Sequence, residues 1–159
     1  MSTALGDVTV GEANTNHNRL DIVALGDVKV DFTDADAFSA AGNDITVNLE
    51  GDASLGDILA DKDSGKVNIS SGGSLVQEPG TAIRGDELDL TAKGDAQIDV
   101  YVNHADIVTG GDLDLSSGKS ELVVDRIEAG GNVDIDGIGD LVSRGGDGII
   151  SGGDVTIHM

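Results

Sequence analysis

The chain has 159 residues, 30 of them acidic against nine basic, for a net charge of −21 at pH 7. Such a surface repels nucleic acid and anionic membranes. Cysteine and tryptophan are lacking, Phe32, Phe38 and Tyr101 are the whole aromatic complement and no run of eighteen apolar residues exists, which excludes disulfides, thiolate metal sites, stacked-base recognition and membrane insertion by a helix.

Along the chain one phrase recurs: an aliphatic residue, any residue and a second aliphatic, usually introduced by Gly-Asp or Gly-Asn. The copies fall at Val8/Val10, Val28/Val30, Ile45/Val47, Val67/Ile69, Leu88/Leu90, Leu113/Leu115, Val133/Ile135 and Val155/Ile157. Their successive spacings are 20, 17, 22, 21, 25, 20 and 22 residues, a period near that of stacked repeat proteins. Alternation at period two describes a short strand with one buried face. A strand this short cannot bury that face alone, so each copy must stack on the next. The sequence therefore predicts an all-β fold, a parallel β-helix (β-solenoid) of about seven to eight coils of roughly 21 residues, in one domain covering residues 1–159.

A second position repeats as well. Ile22, Ile107, Ile127 and Ile149 each stand six residues before the following phrase. The pairs Gly110-Gly111, Gly130-Gly131 and Gly152-Gly153 are expected to supply left-handed or otherwise strained backbone at tight corners. Gly, Asp, Asn, Ser and Thr interrupt every stretch with helical spacing, and unrelated antiparallel hairpins do not explain so regular a return of one phrase. The longest spacing, from Leu88 to Leu113, and the irregular stretch from Ile45 to Val67, where Gly51-Asp52 and Gly56-Asp57 add turns, are the predicted places for protruding loops. Stacked strands at ~4.8 Å give a rod about 34 Å long. The phrases start at Gly6 and break off at Ile157-His158-Met159 without capping sequence, and no secretory leader precedes them. The expectation is an excerpt of a longer array, whose open ends meet neighbouring repeats or other copies.

The residues just before the phrases read Asp7, Asp27, Asp44, Lys66, Glu87, Asp112, Asn132 and Asp154. In register, Asp7, Asp27, Asp44, Glu87, Asp112 and Asp154 would form an acidic ladder along one edge, and calcium is the natural bridge between such carboxylates. No cofactor is otherwise required. The same residue types suit corners, where their side chains bond to backbone amides. Arg84-Gly85-Asp86 spells a tripeptide that integrin-type receptors recognise, although Gly-Asp occurs ten times here and an Arg before one of them arises easily by chance. The segment Asp134 to Asp140 lacks the terminal Glu of an acidic calcium loop, and Gly145-Gly146-Asp147-Gly148 touches a nonapeptide calcium repeat only once. His17, His104 and His158 lie at unrelated phases, without metal-ligand spacing, and read as solvated surface residues. No catalytic arrangement stands out from so many acids, so the chain reads as non-enzymatic. A polysaccharide-active β-helix enzyme is disfavoured by the scarcity of aromatics and the negative charge.

Ile107-Val-Thr-Gly-Gly111-Asp-Leu-Asp-Leu115, Ile127-Glu-Ala-Gly-Gly131-Asn-Val-Asp-Ile135 and Ile149-Ile-Ser-Gly-Gly153-Asp-Val-Thr-Ile157 resemble the haemagglutinin-type β-helix repeats of large bacterial surface exoproteins, the filamentous haemagglutinins and related two-partner-secretion adhesins. The resemblance runs through the whole chain and is clearest from Leu88 onward. It implies a right-handed parallel β-helix, an extracellular or cell-surface setting, and a rigid or adhesive shaft that can meet a host or cell-surface receptor. The Asn-Pro secretion signature of those proteins is lacking, Pro79 being the only proline. The uncapped ends are also similar to those of short bacterial β-helix proteins that polymerise, the bactofilins, although their coils are more regular and more apolar. This second resemblance implies a self-assembling filament subunit.

Overall fold

The computed structural model describes every residue except Met1, Leu5, Asn14, Asn16, His17, Asp34 and residues 145–147. His17 and most of the Gly145–Gly148 segment thus lie outside the described residues.

Short, alternating strands with no helix between them among the described residues build two all-parallel sheets. The first contains β1 (Ser2–Ala4), β3 (Arg19–Ala24), β5 (Ala37–Ala41), β7 (Ala53–Leu59), β9 (Leu75–Gln77), β10 (Ile83–Arg84), β12 (Ala96–Tyr101), β14 (Leu113–Ser117), β16 (Val133–Gly137) and β19 (Val155–His158). The second contains β2 (Val8–Val10), β4 (Val28–Thr33), β6 (Ile45–Leu49), β8 (Lys66–Ser71), β11 (Glu87–Ala92), β13 (His104–Thr109), β15 (Glu121–Ala129), β17 (Asp140–Ser143) and β18 (Ile149–Ser151). The chain passes from one sheet to the other and back once per coil, with β9 and β10 together supplying one coil's part of the first sheet and β17 and β18 one coil's part of the second. The result is a β-solenoid of about seven turns, with equivalent positions about 20 residues apart.

Inward side chains of both sheets share one aliphatic core. Ile45, Val47, Val67, Leu88, Leu90 and Ile107 fill it from the second sheet, and Leu55, Ile58, Leu75, Ile98, Leu113 and Ile135 from the first. Phe38 is fully buried between Leu20 and Leu55, its partners in register. Where the second sheet turns into the first, the stacked inward row is mostly small residues: Leu49, Ser71, Ala92, Thr109, Ala129 and Ser151. The hydroxyls in this row satisfy the corner backbone: Ser71 Oγ donates to Gly51 O at 2.7 Å and accepts from Gly73 N at 3.2 Å, and Ser151 repeats both bonds with Gly131 and Gly153.

Several expectations change. The eight phrases are not equivalent rungs: those from Val8 to Leu90 stack in the second sheet, and Leu113/Leu115, Val133/Ile135 and Val155/Ile157 stack in the first. Leu88 is followed in its own ladder by Ala105, and Leu113 is preceded in its own by Ala96. The long interval from Leu88 to Leu113 is therefore a change of sheet, with no loop in it. The second position divides likewise, Ile22 lying in the first sheet and Ile107, Ile127 and Ile149 in the second.

Among the described residues, departures lie at 61–65, between β7 and β8 and within the stretch from Ile45 to Val67 where a loop is expected, and at 78–82, between β9 and β10. In the first, Asp61 Oδ1 accepts from the amides of Asp63 and Ser64 at 3.0 and 3.1 Å, and the Asp63 bond is the main reason its carboxyl is held below the ordinary range. Gly56-Asp57 lies inside β7, where the register against β5 shifts, and is not a turn. Finally, positive φ occurs among the described glycines only at Gly80 and Gly148, so the Gly-Gly pairs serve another purpose.

Candidate functional site

That purpose is a side-chain interlock between coils. At the corner entering the first sheet, Asp112 Oδ1 accepts the backbone N–H of Asn132 at 2.7 Å, and Asn132 Oδ1 accepts that of Asp154 at 2.9 Å. The same chain of bonds begins earlier: Asp52 to the Ser74 amide at 2.7 Å, Ser74 Oγ to that of Asp95 at 3.1 Å, and Asp95 to that of Asp112 at 2.9 Å. To make this reach, the carboxylate passes over the residue before its target. A Cβ on Gly131 would stand 2.0 Å from Asp112 Oδ1, closer than any side chain tolerates. At Gly26, Gly73, Gly111 and Gly131 a glycine precedes the corner residue because the preceding coil's aspartate already occupies that space. The corner entering the second sheet repeats the device: Asp7, Asp27 and Asp44 each accept the next coil's amide, at 3.0, 3.3 and 2.8 Å, the last being that of Lys66.

The six acids expected on one edge therefore occupy two. Asp7, Asp27, Asp44 and Glu87 lie at the corner of the second sheet, and Asp112 and Asp154 at that of the first. The cause is the change of sheet between Leu90 and Leu113. Within the second-sheet corner, Lys66 follows Asp44, and its Nζ pairs with Glu87 Oε2 at 2.6 Å. In both corners the Oδ1 atoms of the interlocked aspartates face amides. Asp52, Ser74 and Asp95 belong to the first-sheet ladder and escaped sequence reading, because the strands after them read Ala-x-Leu, Leu-x-Gln and Ala-x-Ile in place of two aliphatics. The Gly-Asp pairs at 51–52 and 94–95 were the available signal.

Arg84, Gly85 and Asp86 form the corner that joins β10 directly to β11. Gly85 is buried, with Gly65 O 2.9 Å from where its Cβ would be. Asp86 Oδ1 accepts from Asn103 Nδ2 at 2.7 Å. The Arg84 guanidinium lies 4.1 Å from the centre of the Tyr101 ring, a cation–π contact between residues in register on adjacent strands. Gly85 is thus buried and Asp86 half-buried in the coil wall, while Arg84 is exposed and rests on Tyr101.

This contact borders a groove of about 410 Å³ on the outer face of the first sheet, whose lining includes Thr81, Arg84, Asp99, Tyr101, Ser116 and Asp136. Alternation places Arg84, Asp99, Tyr101, Ser116 and Asp136 outward while Ile98, Val100, Leu115 and Ile135 face the core. The groove offers carboxylate and hydroxyl acceptors beside the one tyrosine, a set able to hydrogen-bond a polar polymer lying along the axis. Its residues come from several coils, and only the register shows them together. Near the start of the chain a second inter-coil contact forms, with Arg19 donating to Asp21 at 2.8 Å, to Glu78 at 2.6 Å and to Ser39.

No known protein family, curated protein or solved structure matches this chain. The repeat architecture and the geometry of the corners and faces are what bear on function.

Proposed function

We propose that this chain is a structural segment of a bacterial surface or secreted protein, a stiff β-solenoid shaft with an adhesive face. The observation that carries the reading is the corner interlock, in which a side chain of one coil is bonded to the backbone of the next at both corners. Such coupling adds resistance to bending and shear to that of the parallel strand ladders. The acidic exterior keeps the shaft soluble and separate from other anionic surfaces. The similarity of the Gly-Gly-Asp-aliphatic phrases to haemagglutinin-type repeats supports the surface setting, and the groove beside Tyr101 supports adhesion. Calcium, in this reading, gathers as a counter-ion on the outward carboxylate oxygens, since the Oδ1 atoms are held by amides. Antibodies raised to the chain should label intact source cells, and deletion of its gene should lower attachment. Labelling seen only after permeabilisation would contradict the proposal.

One observation favours a second reading, a subunit that joins end to end. Val155 and Ile157 occupy inward positions in β19 yet are 47% and 44% exposed, an edge that a strand of a continuing coil or of a second copy can cover. Sedimentation across a concentration series, with and without calcium, separates the two. Growth into long species supports assembly, and a monomer throughout contradicts it.

A further inference from the structure

Pairing of β16 with β19 gathers three side chains of metal-binding chemistry that lie far apart in sequence. In β16, Val133 and Ile135 are buried in the core, so Asp134 and Asp136 point outward. β19 runs parallel beside it with Thr156 opposite Asp134 and His158 opposite Asp136. One oxygen from each carboxylate and one imidazole nitrogen all lie within 4.8 Å of one another. All three residues are exposed.

Several neighbouring outward acids, and the other described histidine, have partners of their own. Asp114, one coil earlier, accepts from Gln97 Nε2 at 3.1 Å, and Asp106 and Glu128 flank Arg126 at 3.7 and 3.3 Å. His104 faces Asp125 at 3.4 Å. Asp134, Asp136 and His158 converge without a hydrogen bond or ion pair to hold any of them among the described residues. Two carboxylates so close repel each other, and a dication between them turns that repulsion into attraction.

We propose that Asp134, Asp136 and His158 form a surface site for a transition-metal dication of the zinc, cobalt or nickel type. The donor set decides the metal. An imidazole nitrogen with two carboxylate oxygens suits these ions, whereas calcium asks for six to eight oxygens. Three protein ligands on one face leave further positions to water or to a donor from a partner. The ligands sit on hydrogen-bonded strands, which fixes their spacing better than a loop would. A bound ion also ties β19 to β16, joining consecutive coils. The proposal is independent of the shaft reading.

The test uses the tag-free, metal-stripped full chain at about 0.15 M salt, where diffuse attraction to the acidic surface is screened. Calorimetric titration with zinc should show one saturable site. His158→Ala and Asp136→Asn should each weaken it at least tenfold, while His104→Ala leaves it unchanged. Cobalt should broaden the His158 imidazole proton signals in NMR spectra before those of His104. Melting curves in chelator should coincide for parent and variants, since the altered side chains face solvent. Absence of saturable zinc binding, binding indifferent to His158→Ala, or calcium binding as tight as zinc would each overturn the proposal.

Discussion

At residue scale the Gly-Asp dipeptide is a contact between two coils, and its two halves should be energetically coupled. Gly131→Ala places a methyl group on Asp112 Oδ1 and should lower stability by about 1–3 kcal/mol, the usual range for overpacking. Asp112→Ala removes the acceptor of the Asn132 amide and should cost about 1 kcal/mol. In the double variant the clash with the carboxylate is gone, so denaturant melts should show clearly less than the sum of the single losses. Additive losses would contradict the interlock. A second residue-scale prediction concerns Asp89, whose carboxyl is pushed above its ordinary value of 3.8, first by lost hydration, then by Asp106 and Glu87, with Arg126 opposing. Folding favours its protonated form, so its contribution to stability is most favourable in acid and is lost as pH rises through the folded pKa. Asp89→Asn should therefore raise stability at pH 7, by less than about 1 kcal/mol for so exposed a charge, read as a higher melting temperature. The gain should shrink as pH is lowered toward 3.8.

At element scale, alternation alone assigned the faces of the strands, and the structure keeps those assignments. Val133 is in the core and Asp134 is outside. Val133→Asp buries an unpaired charge and should cost more than about 4 kcal/mol or prevent folding. Asp134→Asn should leave thermal melts in chelator unchanged, and equal losses from the two would contradict the phase. The all-β, parallel, stacked character was legible because two aliphatics flanking one residue survive in eight strands. Which sheet each strand joins was not legible. Ala96, Ala105 and Gln77 stand at inward positions where the phrase expects a larger aliphatic, so half of each coil was hidden and the change of sheet after Leu90 read as one long coil. The Gly-Gly pairs were located correctly and misread in mechanism, because a close approach between coils leaves the same residue signature as a left-handed turn. The groove at Tyr101 and the cluster at His158 depend on register between coils, which no local motif records.

At the scale of the whole molecule the central claim is stiffness, and the lack of cysteine makes it directly measurable. Lys29, Thr46, Asn68, Asp89, Asp106 and Arg126 stand in one outward row of the second sheet, joined pairwise by the strand register. Five steps at ~4.8 Å place the Cα atoms of Lys29 and Arg126 about 24 Å apart. Spin labels on Lys29→Cys and Arg126→Cys, read by pulsed electron–electron double resonance, therefore report on most of the stack at once. A rigid shaft gives a single narrow distance distribution near that value, widened only by the label arms and unchanged between low and physiological salt. A broad distribution, or a centre that moves by many ångströms with salt, would contradict the account.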